Sequence, residues 1–309
     1  MNILITNIGR RTYLVDFLQD LKKKYKKIKI FVSDPNQHAS GMMFNDNVKK
    51  IKTPKSKHKQ IYIKKLIGIS KKNKIELIIP ASDYELELLS RNVKKFNNHN
   101  AKILISDYKT IKICNNKLLM NKFCLKNKIL TPKIIKFKKL TNDIIIKPIH
   151  GSGSKNIIQK SKYIKINKIS KQEFIFQKKI LGDEYGVDIL NDINGNFVSA
   201  CIKKKILMRS GETDQAKIIF SKKILNFSKR ISKALKHKGN LDCDLIVSKR
   251  NNSIYLIDLN PRFGGGYAFT HKYGLNYLKF IIEENFGFKK SKLFSKNKKK
   301  IFSKGISIK

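Results

Sequence analysis

The chain has no tryptophan, six prolines, four cysteines and, across 309 residues, only 22 acidic side chains. The cysteines (Cys114, Cys124, Cys201, Cys243) show no C-x-x-C spacing. That excludes a disulfide-stapled scaffold and predicts reduced thiols in a cytoplasmic protein. Long hydrophobic runs are missing as well. Stretches such as Ile144-Ile145-Ile146 fall far short of the roughly 20 apolar residues that span a bilayer, so no membrane helix is expected. A strand-like run, Asn2-Ile3-Leu4-Ile5-Thr6, begins almost at once, and no signal peptide is expected ahead of it. Arginine is the most informative scarcity. The net charge is +46, yet only seven of the 68 basic residues are arginines. Arginine reads bases and phosphates bidentately, so a charge that is nearly all lysine, spread along the whole chain, argues against specific nucleic-acid binding. Such a diffuse field still draws in small anions.

What is present is ordinary globular material: 41% hydrophobic residues and length enough for two or three packed units. Residues 1–106 alternate strand and helix patterns, with strands expected at 2–6, 28–33, 75–80 and 102–106 and helices near 12–24, 57–72 and 84–95. This predicts a parallel sheet covered on both faces. The first turn, Asn7-Ile8-Gly9-Arg10-Arg11, is not a G-x-G-x-x-G loop, so a dinucleotide site here is only weakly supported. Residues 107–128 read as one connecting helix, and Thr131-Pro132 punctuates entry to a second unit, 107–180. Short strands follow at 144–147, 156–159 and 174–178. The third unit, 181–309, has strands at 185–192, 196–207, 242–248 and 253–259, a helix near 221–237, and a lysine-rich end in which Ile301 to Ile308 alternates like a strand.

Three segments carry chemistry. In the first, a buried strand ends in Lys147-Pro148, and Gly151-Ser152-Gly153-Ser154 follows. Small residues let backbone N–H groups approach phosphate oxygens, with Lys147 adding a point charge; a plain glycine-rich hairpin would read similarly. In the second, Asp258 and Asn260 sit two apart on a strand and so share a face, with Arg262 and Gly264-Gly265-Gly266 beyond. If a hairpin turns at Asn251-Asn252, Asp244 on the preceding strand becomes the cross-strand neighbour of Asp258. Two such carboxylates repel unless a cation lies between them, which makes a site for a hard metal and a transferring phosphate. The third, Gln177-Lys178-Lys179-Ile180 to Gly182-Asp183-Glu184-Tyr185, is an extended crossing between units where a nucleobase can lie and where Glu184 can accept from ribose hydroxyls.

The order of these segments resembles the ATP-grasp superfamily, in the branch similar to the ATP-binding half of carbamoyl-phosphate synthase large chains. The resemblance runs through Gly9-Arg10-Arg11, Ile79-Pro80…Asp83…Glu85-Leu86, Asn116-Lys117, Thr131-Pro132, Lys147-Pro148, Gly182-Asp183-Glu184-Tyr185…Val187-Asp188 and Asp258-Leu259-Asn260-Pro261-Arg262. It implies an α/β and α+β chain: a Rossmann-like pre-ATP-grasp domain, then a two-subdomain ATP-grasp fold. It also implies an ADP-forming carboxylate–amine ligase that uses ATP and Mg²⁺ or Mn²⁺. Lys117 and Lys147 resemble the family's phosphate-holding lysines, Gly151, Ser152, Gly153 and Ser154 its lid, and Gln177, Lys178 and Ile180 its adenine hinge. Glu184 resembles the ribose ligand, Asp244, Asp258 and Asn260 the metal ligands, and Arg262 the residue facing the transferred phosphoryl group. Arg209 and Glu212 fall where the branch places a polar segment near the acceptor. Two positions depart from the pattern: Asp258 stands where the family has Glu, and no acid lies near Lys178.

The partners implied are a small carboxylate and a small amine, with no specific nucleic acid and no membrane; a homodimer is the default symmetry. Gly9, Arg10 and Arg11 lie where open α/β sheets place ligands, and the two arginines can clamp a carboxylate or phosphate. The six histidines form no metal-spaced cluster. Two other readings stand beside the ligase: an ATP-binding module whose catalysis is lost or redirected, and a basic protein associated with nucleic acid.

Overall fold

The structure, a computed structural model, describes residues 1–43, 47–135, 144–151, 158–159, 173–209, 211–293 and 299–305. Ser152, Gly153 and Ser154 of the expected lid lie outside the described residues, as does Ile308.

The N-terminal sheet is parallel, with β1 (Asn2–Thr6) at its centre, β2 (Lys29–Asp34) and β3 (Val48–Lys52) on one side, and β4 (Leu77–Pro80) and β5 (Lys102–Ile103) on the other. Both faces are covered, which is why β1 and β4 read as continuous apolar runs rather than alternating ones. One core packs Ile3, Ile5 and Val32 against Leu14, Phe17, Leu18 and Leu21 of α1 (Thr12–Lys24). The other packs Leu4 and Ile78 against Tyr62 and Leu66 of α2 (Lys59–Lys72) and Leu86 and Leu89 of α3 (Asp83–Asn97). The strand β3 escapes a hydrophobicity reading because it is Val-Lys-Lys-Ile-Lys at the sheet edge, where lysines blunt an otherwise open ladder.

Glu85, in the first turn of α3, is completely buried and accepts a hydrogen bond from the Tyr62 hydroxyl, which in turn accepts one from Asn7 Nδ2 at 2.8 Å. Burial pushes its carboxyl up from 4.5 to about 7, against the hydrogen bond from Tyr62 and the pull of the neighbouring polar groups of Thr6 and Asn7. A carboxyl whose folded value is raised favours the fold fully below its unfolded value and loses that contribution as pH rises through the folded one. The Glu85→Gln variant is therefore expected to show a flatter pH dependence of its urea midpoint between pH 4.5 and about 7. Relative to it, the wild type loses up to about 3 kcal/mol across that window. Parallel curves for the two proteins would refute this.

The expected connecting helix is two: α4 (Tyr108–Asn115) and α5 (Lys117–Lys126). They divide at Asn116, whose backbone leaves the helical region and whose side chain accepts from the amides of Leu118 (2.9 Å) and Leu119 (3.0 Å), capping α5. A small antiparallel sheet follows, with β6 (Ile144–Pro148) between β7 (Ile158–Gln159) and β8 (Phe174–Lys178).

The remaining strands form a six-stranded antiparallel sheet in the order β13-β12-β9-β10-β11-β14. Its members are β9 (Gly182–Asn191), β10 (Phe197–Arg209), β11 (Glu212–Ile219), β12 (Gly239–Ser248), β13 (Ile254–Asn260) and β14 (Lys300–Ser303). The helix α6 (Lys222–Leu235) covers one face through Ile224, Phe227, Ile231 and Leu235, spaced three and four apart. The polar strand β11 and the short helices α7 (Tyr267–Lys272) and α8 (Tyr277–Asn285) were not predicted from the sequence. These helices tie the halves together: Phe17 of α1 stacks on His271 at 3.5 Å and packs edge-on to Tyr267, and Tyr13 Oη donates to the Gly264 carbonyl at 2.8 Å. All four cysteines are buried and unpaired. Among the described residues, no helix is long and apolar enough to cross a membrane.

Candidate functional site

The small sheet and the large sheet enclose a cavity of about 370 Å³. Lys147, Gln177, Lys178 and Ile180 line it from one side, and Glu184, Lys205 and Asp244 from the other. A second cavity of about 120 Å³ adjoins it, sharing Lys205, Met208, Gly211 and Asp244 and adding Asp258, Asn260, Arg262 and, from the N-terminal unit, Arg11 and Asp83. The sequence-predicted hinge, ribose and metal-ligand positions, and Lys147, thus converge on one cleft.

Two lysines act on it by different routes: Lys147 lines it, and Lys117, which lines neither cavity, acts on Lys147 and Asp258. Lys117 opens α5 just after the Asn116 cap; its amide donates to the Ile149 carbonyl at 3.0 Å and its ammonium to the Gly151 carbonyl at 2.9 Å. Lys147 comes from β6 and is 7% exposed, and its ammonium makes no hydrogen bond or ion pair among the described residues. Burial lowers its pKa, and Lys117 pushes the same way, opposed by Asp258, Asp244 and Glu184. A buried cation held without a direct partner is suited to an incoming anion.

The β12–β13 hairpin forms as expected, and the register sets Asp244 directly across from Asp258, with a bulge between Asp244 and Leu245. Asp258 is held above the usual carboxylate range by burial and by Asp244, against the pull of Lys117 and Lys147. Asn260 follows on the same strand, 9% exposed. Two carboxylates and an amide oxygen are hard donors that fit Mg²⁺ or Mn²⁺, and a raised Asp258 facing Asp244 is what a divalent cation would relieve. Among the described residues, no group of three or more His, Cys, Asp or Glu side chains is placed to hold a metal. The donor set therefore depends on Asn260.

Several site residues were missed in the sequence. Lys205 on β10 is 9% exposed in its side chain; its ammonium pairs with Asp244 at 2.7 Å and lies 3.8 Å from Glu184. Asp242 is pushed up to about 6 by burial, with Asp244 and Asp188 nearby, against Arg262 and Lys203. Arg262, its side chain 7% exposed, bonds Asp83 at 2.8 Å and Asp242 at 3.1 Å, so its guanidinium ties the N-terminal unit to the β12–β13 hairpin while lining the small cavity. The glycines after it permit close approach. A Cβ at Gly264 would lie 1.9 Å from Asp242 Oδ2, and one at Gly265 2.6 Å from Glu212 Oε2. Behind the site, Lys203 and Thr270 both bond the fully buried Asp188.

Glu212 lines the small cavity and pairs with Lys304 at 3.2 Å and Arg10 at 3.8 Å. Burial acts to raise its carboxyl, and Lys304, Arg11 and Arg10 outweigh that and lower it. Arg209 is not brought to the cleft: it is 59% exposed in its side chain, pairs with Asp214 at 3.3 Å and lines neither cavity. Of Gly151 to Ser154, only Gly151 is described, as the carbonyl partner of Lys117.

Residues 3–104 match the family model described as the PylC-like N-terminal domain, and residues 114–266 match that of the ATP-grasp domain. No curated protein sequence matches the chain at a significant level. Among solved structures, an L-amino acid ligase from Bacillus licheniformis superposes with a TM-score of 0.71 at 16% identity, over 92% of this chain and 74% of its own. N5-carboxyaminoimidazole ribonucleotide synthetase from Thermotoga maritima gives 0.67 at 15%, over 97% and 79%. A biotin carboxylase from Campylobacter jejuni, solved as a beta-gamma-ATP complex, gives 0.72 at 16%, over 93% and 71%. At these identities the likeness is one of fold.

Proposed function

We propose that this chain, which belongs to the ATP-grasp superfamily, is an ADP-forming ligase that activates a small carboxylate as its acyl phosphate and joins it to an amine. The observation that carries the reading is the single cleft in which Lys147, Asp244, Asp258 and Asn260 meet a cavity sized for a nucleobase, with the charge of Lys117 acting on Lys147 and Asp258. The adenine lies against Gln177 to Ile180, the ribose at Glu184 and the phosphates toward Lys117 and Lys147. Asp244, Asp258 and Asn260 would hold Mg²⁺ or Mn²⁺, which when bound supplies charge neutralisation for phosphoryl transfer. The substrate carboxylate oxygen attacks the γ-phosphorus, the bond to the β-phosphate oxygen breaks, and ADP leaves. The amine nitrogen then attacks the acyl carbon, phosphate departs, and the amine gives up a proton. Arg262 holds the N-terminal unit against the hairpin, which encloses the small cavity and limits access of water to the acyl phosphate.

Thermal-shift titration tests the reading. Adenine nucleotide at ~100-fold its Kd is expected to stabilise by about 2.7 kcal/mol. For a chain of this length that is about 4 °C. The shift should need Mg²⁺ and disappear in an Asp258→Asn, Asn260→Ala variant. No shift with ATP or ADP would sink the proposal. The ion pair of Lys205 with Asp244 favours one second reading, a nucleotide-binding module without ligation. It predicts the same Mg²⁺-dependent shift with no phosphate release above background across a carboxylate–amine library.

A further inference from the structure

A third cavity, about 650 Å³, opens at the carboxyl edge of the N-terminal sheet. The strand order reverses at β1, between the loops that follow β1 and β4, and in open α/β sheets that crevice is where ligands bind. Asn7 and Ser82, one from each loop, line this cavity.

Its walls have a definite chemistry. Lys55 and Lys57, from the turn entering α2, and Lys59, its first residue, carry charges with no carboxylate in ion-pair range among the described residues. Arg91 across from them is balanced by Glu87 at 2.8 Å. The lining therefore has an uncompensated positive charge in a concave setting, which concentrates anions. Tyr84, 68% exposed, and Leu88 give it an apolar side.

Sequence neighbours line the cleft and this cavity. Ser82 lines it, while the next residue, Asp83, lines the small cavity and holds Arg262. Likewise Asn7 lines it and Arg11 lines the small cavity. The small cavity, about 120 Å³, has room for reacting groups but not for a whole acceptor beside them.

We infer that the cavity formed by Asn7, Lys55, Lys57, Lys59, Ser82 and Tyr84 binds the acceptor amine through an anionic end group, a carboxylate or a phosphate. The inference rests on the ligase reading. Two amines of similar reach separate the anions: 4-aminobutyrate carries a carboxylate and O-phosphoethanolamine a phosphate. Each is titrated calorimetrically into wild type, Lys55→Glu/Lys57→Glu, and the charge-matched control Lys26→Glu/Lys27→Glu at the amino edge of the sheet. All titrations are run with and without a non-hydrolysable ATP analogue and Mg²⁺.

At least one amine is expected to bind wild type and the control, with affinity lower by at least ~tenfold in Lys55→Glu/Lys57→Glu and analogue affinity unchanged. The amine that binds identifies the anion. Binding of the analogue with neither amine binding, or equal amine affinity in all three proteins, overturns the inference and leaves the ligase reading standing. A parallel loss in the control overturns it too, since only net charge would then matter. An analogue that binds none of the proteins overturns the ligase reading, and the acceptor role with it.

Discussion

Replacing Lys147 by methionine is expected to weaken ATP binding by roughly a hundredfold to a thousandfold while raising the melting temperature of the nucleotide-free protein. Both halves follow from one environment. The ammonium is buried, lacks a hydrogen-bonded partner among the described residues and shares its surroundings with Lys117. Its lowered pKa means that the charged form is disfavoured in the fold, so at neutral pH the charge costs stability that a methionine of similar length would not. That strain is relieved when polyphosphate arrives, and removing one side of a buried charge contact typically costs about 3–4 kcal/mol of affinity. Calorimetric titration of the ATP analogue with Mg²⁺, alongside a melt without nucleotide, reads both effects. Affinity within about threefold of wild type would remove Lys147 from the phosphate site. A lowered melting temperature would mean that the lysine is instead part of the structural framework.

How far the site was legible in the sequence depends on how local its signals are. Asp258 and Asn260 were legible because a strand repeats every two residues. Asp244 was legible because a hairpin around Asn251-Asn252 fixes its partner, and the register sets it opposite Asp258. The Asn116-Lys117 pair was flagged by resemblance, and the structure adds the reason: the asparagine caps the helix that presents the lysine. Lys205 was not legible. It is one of three consecutive lysines on β10, and Lys203 and Lys205 alternate inward while Lys204 pairs with Asp183 at 2.6 Å near the surface. In a chain this rich in lysine the residue type says nothing, and only burial separates the three. The partner of Arg262 was hidden for another reason: Asp83 lies 179 residues away, and only the docking of α3 against the β13 loop brings them together. The fold shows the same division. Apolar strands and amphipathic helices announced themselves, whereas β3 and β11 carry mostly polar residues at or near sheet edges and are strands because of the neighbours they pair with. Arg209 is the converse case: the resemblance points to it by position in the chain, and the structure pairs its exposed side chain with Asp214 while Met208 and Gly211 beside it line both cavities.

The exchange Asp258→Asn should separate stability from function in the same direction as Lys147, from the opposite charge. The carboxylate faces Asp244 across the hairpin, and desolvation together with Asp244 raises its pKa. Such a group favours the fold fully below the ordinary aspartate range and loses that contribution as pH rises through its elevated folded value. At neutral pH its ionised form is thus a cost, and the amide is expected to stabilise the nucleotide-free protein by on the order of 1 kcal/mol. Lys205 already neutralises Asp244, so the relief comes from desolvation as much as from repulsion. The functional effect runs the other way. With Asp258 neutral, the hairpin offers one carboxylate and two amides to a divalent cation, and the Mg²⁺ dependence of nucleotide affinity should collapse. Phosphate release should fall by at least about a hundredfold, the scale expected when a preorganised electrostatic group is removed from phosphoryl transfer. Asp258→Glu is the control. It keeps the charge and supplies the longer side chain that the superfamily resemblance calls for at this position, so it is expected to retain Mg²⁺ dependence while losing the gain in stability. If Asp258→Asn kept wild-type Mg²⁺ dependence, Asp244 and Asn260 alone would carry the metal and Asp258 would serve only to set the potential around Lys117 and Lys147.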